Sequence, residues 1–247
     1  MLTPLLAHGW ASSPERWAIA AVVTLAFAVL ARALHGVNRS GALAGALACF
    51  LLFSSSGPGA FATLAVLFAM TWASTRLGYS RKLALGLAER REGRNAWQVL
   101  ANLAAPALAS TVFALTGDQA WLVAAVAAFS EAATDTVASE VGQSLGFNTR
   151  MITTWNRVPA GTDGGITIAG SAAGLAAGLG IVAIATAGGM LPMAQFWIPL
   201  AAGFSGMLFD SLLGATIQRR GWISNQAVNL ISTLVAAALA FVIARLS

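Results

Sequence analysis

Charge is scarce in this sequence. Of 247 residues, 9% are Asp, Glu, Lys or Arg and 57% are hydrophobic, against about 25% and about 45–50% in soluble domains. Nine acids and fourteen bases are too few to coat a globule of this size, which excludes an ordinary water-soluble protein. A mean hydropathy of +0.75 makes lipid the solvent for most side chains. Cysteine is nearly absent too: Cys49 alone excludes an internal disulfide and a cysteine-based zinc or iron–sulfur site. His8 and His35 are too few for a histidine cluster, and Lys82 is the only lysine. No GxxxxGK[ST] run occurs, so there is no Walker A loop. The net charge of +5 would suit nucleic acid, but in a membrane chain the placement of charge outweighs its sum, and no nucleic-acid partner is expected.

What is present is a series of apolar segments, each near the ~20 helical residues needed to cross about 30 Å of hydrocarbon. They run near 17–34, 58–75, 96–115, 119–140, 165–188, 196–216 and 226–244. An eighth, residues 41–55, is short for a full crossing and reads as a thin tilted span or a re-entrant helix. The fold class expected is therefore all-α, a polytopic bundle of seven or eight membrane helices forming a single domain over 1–247. With Arg16 as the only base ahead of the first segment, residues 17–34 are expected as a retained helix rather than a leader. Eight spans put twelve of the fourteen basic residues in alternate loops on one face, leaving Arg16 and Arg245 opposite. The positive-inside rule makes that face cytoplasmic, in the inner (plasma) membrane with both termini outside. The longest polar stretches, 76–95 and 141–164, are too short for a soluble core. No internal repeat stands out, which disfavours a transporter.

Three acids lie inside expected helices: Glu131, Asp135 and Asp210. A carboxylate at a helix centre costs roughly 2.5–3.5 kcal/mol on insertion scales, so such residues face polar cavities and mark function. Glu131 and Asp135 are i, i+4 and share a face with Ser139 one turn on. Arg94, Gln98 and Asn102 form a second stripe; Asp210, Gly214 and Gln218 a third; Asn225 and Asn229 a fourth, all at one depth. Residues 157–165 contain Gly161-Thr162-Asp163-Gly164-Gly165 ahead of an apolar run, after Arg157. That loop reads equally as a phosphate cradle at a helix N-terminus or as a tight turn capped by Asp or Thr. Acids for a divalent cation and bases and amides for phosphate, all at one membrane surface, suit a nucleotide and a lipid phosphate. Magnesium fits such a site, since it takes one or two carboxylates and leaves its other positions to water and phosphates.

The series Ser80-Arg81-Lys82, Arg94-Asn95 with Gln98 and Asn102, Asp135-Thr136 with Ser139-Glu140 and Gly142, the 161–165 loop, and Asp210-Ser211 with Gly214 and Gln218 resembles the transmembrane protein 19 family. The likeness runs from about residue 40 to the C-terminus. That family includes the plant plastid phytyl-phosphate kinase of vitamin E salvage. Leu103 departs from the small residue expected after Asn102, which bears on the packing of that helix. The resemblance implies a kinase that adds a second phosphate to a prenyl monophosphate, phytyl or geranylgeranyl, from CTP or ATP. It places Asp135, Glu140, Asp163 and Asp210 among metal and phosphates. Arg81, Lys82 and Arg157 would neutralise the triphosphate, with Ser80, Arg94, Gly161, Thr162, Gly164 and Gly165 in the same phosphate-binding set. Asn95, Gln98, Asn102, Ser139, Ser211, Gln218, Asn225 and Asn229 would line the site. Glu131 joins Asp135 and Asp210 as a metal candidate from helical spacing alone.

The partners expected are the bilayer and a prenyl-phosphate lipid, whose tail lies between helices lined by Leu, Ala and Phe; a homo-oligomer is left open. Two alternatives stay open. A CTP-dependent nucleotidyl transferase acting on a lipid phosphate would use the same metal, bases and geometry. A transporter or flippase would use the intramembrane acids as ion sites, but should carry polar groups through the midplane rather than at one end.

Overall fold

The structure is a computed structural model that describes residues 14–89, 91–145 and 147–247; His8 and Arg90 lie outside the described residues. It is helical almost throughout, a polytopic helical membrane protein. Among the described residues seven helices are long and apolar enough to cross a membrane: α1 (Arg16–Ala33), α2 (Arg39–Arg76), α4 (Ala96–Thr116), α5 (Ala120–Leu145), α6 (Ile168–Ala187), α7 (Trp197–Thr216, opened by a short 3-10 turn) and α8 (Asn225–Leu246). A six-residue helix, α3 (Tyr79–Ala84), and a two-residue ladder of β1 (Arg150–Met151) with β2 (Gly165–Ile166) lie between them.

The 38 residues of α2 would reach about 57 Å as one straight helix, roughly twice the hydrocarbon thickness. The chain breaks at Gly57 instead, where φ is 76° and ψ is −157°. Only glycine takes such a conformation without strain, and Pro58 has no N–H to carry the helix through. The two arms double back on each other. The first starts beside Gly36 and Arg94, while Trp72 and Arg76 at the end of the second both donate to the Leu34 carbonyl, at 3.0 and 2.8 Å. Residues 41–55 are thus the first arm of a helical hairpin whose tip, at Gly59, rests on the Gly188 backbone at the opposite end of the bundle.

Helix α5 is the axis. It packs against α2, α4, α6, α7 and α8, and nearly every residue from Ala120 to Thr134 is buried. Alanines and glycines allow this closeness: a Cβ on Gly170 would strike the Ala138 carbonyl and one on Gly174 the Thr134 carbonyl, so α6 lies backbone against backbone on α5. The first arm of α2, and α4, α6 and α8, all begin at the same end of the bundle. There the side chains of Asn38, Asn95, Thr167 and Ser224 accept N-terminal amides. Four positive helix ends therefore face the loops that carry most of the arginines, a setting for anions. At the other end Arg245 pairs with Asp118 at 3.4 Å in partial exposure, an arrangement worth little.

Candidate functional site: a polar cavity at the basic end of the bundle

Between α4, α5, α7 and α8, roofed by the 149–167 loop, lies a polar cavity of about 310 Å³. Helix α4 contributes Gln98 and Asn102, the segment before it Arg94, and α5 contributes Asp135, Ser139 and Glu140. The loop brings Gly161, Thr162, Asp163, Gly164 and Gly165. From α7 and beyond come Asp210, Ser211 and Gln218, and from α8 Asn225 and Asn229. Stripes far apart in sequence meet because each sits at the basic end of its helix.

Local structure sets each group. Gln98 closes a capping box, accepting from the Asn95 amide at 2.9 Å while Asn95 Oδ1 accepts from the Gln98 amide at 3.1 Å. Asn95 is thereby spent on starting α4 and is not part of the cavity wall. Gln98 Nε2 donates to Glu89 at 2.9 Å, and Asn102 Nδ2 donates to the Gln98 carbonyl at 2.9 Å. Asp210 Oδ2 accepts from Ser232 at 3.1 Å. Asp135 and Asp210 lie within electrostatic reach of each other, and Arg94 supplies opposing charge to Asp135. Asp163 is pushed above the ordinary aspartate range by burial, an effect that the neighbouring Arg219 partly offsets.

The 157–165 segment folds as a tight turn that lines the cavity. The Thr162 amide donates to the Pro159 carbonyl at 3.3 Å and the Gly165 amide to the Thr162 carbonyl at 2.8 Å, so both are used inside the turn. The ladder pairs Arg150 with Ile166 and Met151 with Gly165 and fixes the two ends of the loop. Gly164, at φ 76°, lies against Gly214 and Ala215 and seats the loop on the end of α7. Gly164→Ala should lose about 1–2 kcal/mol from the left-handed conformation, with the Ala215 collision added. The check is limited proteolysis of residues 149–165 in detergent, which should quicken about tenfold or more; an unchanged rate would mean the loop is not held at Gly164.

Besides Asn95, five expected site residues stand elsewhere. Lys82 is fully buried, 0% exposed, and donates to Glu140 Oε2 at 2.5 Å and to the Ser74 and Thr75 carbonyls at 3.2 and 2.7 Å. Its charge fastens α3 to α5 and closes the C-terminal end of α2, rather than facing phosphate. Ser80 is exposed on the outer side of α3, and Arg81 lies 4.9 Å over the Phe147 ring. Arg157 is exposed and paired through its backbone with Arg150. Glu131 lies one helical turn deeper than Asp135, buried against Gly206, and its Oε1 meets no hydrogen-bond partner among the described residues.

Two charged residues, one in the wall and one beside it, escape the sequence reading. Glu89 lines the cavity from the loop before α4, and Arg219 stands beside Asp163. Arg219 follows Gln218 directly, and that adjacency is the signal that could have found it. Among the described residues no group of three or more His, Cys, Asp or Glu side chains is close enough to cage a cation. The carboxylates of the cavity that could meet a cation are Asp135 and Asp210, with Asp163 on the facing loop. That suits a cation such as magnesium, which takes one or two carboxylates and completes its shell with phosphate and water.

The model of the integral membrane protein family DUF92 matches residues 22–237. The chain is 35% identical to the membrane protein sll0875 of Synechocystis over 196 residues, covering 77% of this chain and 76% of that one. It is 31% identical to the membrane protein MJ0933 of Methanocaldococcus jannaschii over 220 residues, 88% and 90% of the two chains. To the chloroplastic protein VTE6 of Arabidopsis thaliana it is 28% identical over 232 residues, 90% and 70%. No solved structure matches. The chain belongs to the DUF92 family of integral membrane proteins.

Proposed function

We infer that this protein is a phosphotransferase of the membrane surface that converts a prenyl monophosphate to the diphosphate with a nucleoside triphosphate, CTP or ATP. The observation that supports it is the convergence of Asp135, Asp163 and Asp210 with Arg94 in one cavity at the basic end of an otherwise apolar bundle. Carboxylates are expensive there unless a cation and phosphates use them. The likeness to the chloroplast protein VTE6, together with the motif series shared with a family that includes a phytyl-phosphate kinase, supports a prenyl acceptor. By the positive-inside rule the cavity faces the cytoplasm, where nucleotide is available.

A phosphate monoester has a second pKa near 6 and is already an anionic nucleophile at pH 7. One of its oxygens attacks the γ-phosphorus, the bond to the β–γ bridging oxygen breaks, and the nucleoside diphosphate leaves. No residue need take a proton from the acceptor, so the work is positioning and charge balance. Arg94 and Arg219 balance phosphate charge, while Gln98, Asn102, Asn225 and Asn229 offer amide donors to the phosphates or the base. Asp135 and Asp210, with Asp163, would hold magnesium, which when bound supplies charge neutralisation to the triphosphate.

The test is incubation of the detergent-purified protein with Mg²⁺, CTP or ATP, and geranylgeranyl or phytyl monophosphate, with products read by mass spectrometry. Prenyl diphosphate with CDP or ADP is the expected result. Free pyrophosphate with a prenyl-linked nucleotide would replace the reading with nucleotidyl transfer, and no product with any donor would overturn both.

The pH profile gives a further prediction. Asp163 already holds its proton to higher pH than a free aspartate, because it is buried, and Arg219 opposes this. Arg219→Gln removes the opposing charge, so protonation of Asp163 should extend to still higher pH. The acid limb of the rate profile should therefore move upward, and Arg219→Lys should largely keep it in place. An unmoved limb in Arg219→Gln would separate Asp163 from turnover.

A further inference from the structure

A second, larger cavity of about 630 Å³ adjoins the first. It lies between α1, the two arms of α2 and α4, with walls from Phe27, Ala31, Gly45, Leu64, Phe68 and Leu103. Its mouth is at the basic end, beside Arg76 and Arg91. Leu64 stands twelve residues from Arg76 on the second arm, so the cavity extends about 18 Å into the apolar part of the bundle. Glu89, Arg94, Gln98, Asn102 and Thr136 line both cavities and form the wall between them.

A hydrocarbon chain in this slot and a charged group at that wall is the geometry of an amphiphile whose head reaches the acids while its tail stays in lipid-like surroundings. The volume is within the range of about 300–1,000 Å³ that encloses one drug-sized ligand, which favours a lipid of one chain over a two-chain phospholipid. Gly45 sharpens the assignment. Unlike Gly41, which lies hard against the Arg94 carbonyl, Gly45 has only Val99 Cγ1 near an added Cβ, at 3.9 Å. Close helix packing does not require glycine at 45; an open slot does.

Building on the kinase reading, we propose that the slot between α1, the α2 hairpin and α4 holds the single isoprenoid tail of the acceptor, and that Arg94 on the shared wall receives its phosphate. Tail length is then selected by the depth of the slot, and the nucleotide occupies the acidic cavity on the far side of the wall.

The test uses geranylgeranyl monophosphate carrying a diazirine at its last isoprene unit, photolysed with the full-length protein in detergent without nucleotide, and the labelled peptides mapped. Label on residues 27–31, 45 or 64–68, displaced by unlabelled geranylgeranyl phosphate but not by dioleoyl phosphatidic acid, is the expected result. Label confined to other helices, or equal displacement by phosphatidic acid, would overturn the assignment. Gly45→Phe should fill the middle of the slot and lower binding of the twenty-carbon phosphate about tenfold or more, while a five-carbon prenyl phosphate keeps its affinity. The melting temperature of Gly45→Phe in detergent is the control for folding and should equal the parent's. Equal binding of both lipids by Gly45→Phe and parent would also overturn it. Slot labelling without phosphoryl transfer would leave the tail site standing and remove the kinase reading; transfer without slot labelling would do the reverse.

Discussion

Asp135→Asn should lower turnover about 10²–10³-fold without lowering the melting temperature of the detergent-purified protein. The magnitude is that of removing one preorganised electrostatic group from a reacting centre. The substitution keeps the size of the side chain, so the packing of α5 against its neighbours is undisturbed. It takes one negative charge from a region where Glu131, Asp135 and Asp210 lie within reach of one another and repel. Stability should therefore hold or rise while activity falls, the pattern of a site that keeps charge for chemistry at the expense of the fold. A scaffold carboxylate would behave in the opposite way: its loss would unfold the protein and leave the specific activity of the folded fraction unchanged. Turnover and melting temperature measured on one preparation distinguish the two, and full activity would remove Asp135 from the site. Asp210→Asn should follow the same pattern with a stability change of its own, because Ser232 donates to that carboxylate.

The spans were readable because hydropathy alone specifies them: a crossing must be apolar over some 20 residues, and only helices satisfy every backbone group in lipid. Glu131, Asp135 and Asp210 stood out for the converse reason, since a charge in an apolar run is conspicuous, whereas Glu140 came from the family resemblance alone. Sequence did not reveal which loops fold over the cavity. Arg157 and Arg219 each follow a membrane helix within polar stretches and look alike on paper. The β1–β2 ladder turns Arg157 outward, whereas the short turn after α7 brings Arg219 to Asp163. Glu89 escaped for a related reason: in a loop dominated by arginine it looked like part of a solvated surface, and only the fold brings it to Gln98. Residues 41–55 looked short for a crossing because the hairpin turn at Gly57 and Pro58 is a matter of backbone conformation, which hydropathy does not record.

Lys82 carries the second large effect, on stability rather than chemistry. Lys82→Met should cost about 3–5 kcal/mol, the range for removing one partner of a buried ion pair, because Glu140 would be left charged with its side chain only 15% exposed. The Ser74 and Thr75 carbonyls at the end of α2 would lose their donor as well. Removing both charges, in Lys82→Met with Glu140→Met, should recover a large part of the loss, since no charge then remains uncompensated. The residual cost reports the two carbonyls and the anchoring of α3, which Ser144 shares by donating to the Leu77 carbonyl at 2.7 Å. Denaturant unfolding of the two single variants and the double variant in detergent gives the coupling directly. If Lys82 met phosphate instead, Lys82→Met would unfold as the parent does and lose only nucleotide affinity. A lone lysine among thirteen arginines has a physical reason in this pocket: a compact ammonium on a flexible stem reaches one carboxylate and two carbonyls at once, where the planar fork of a guanidinium suits a bidentate partner.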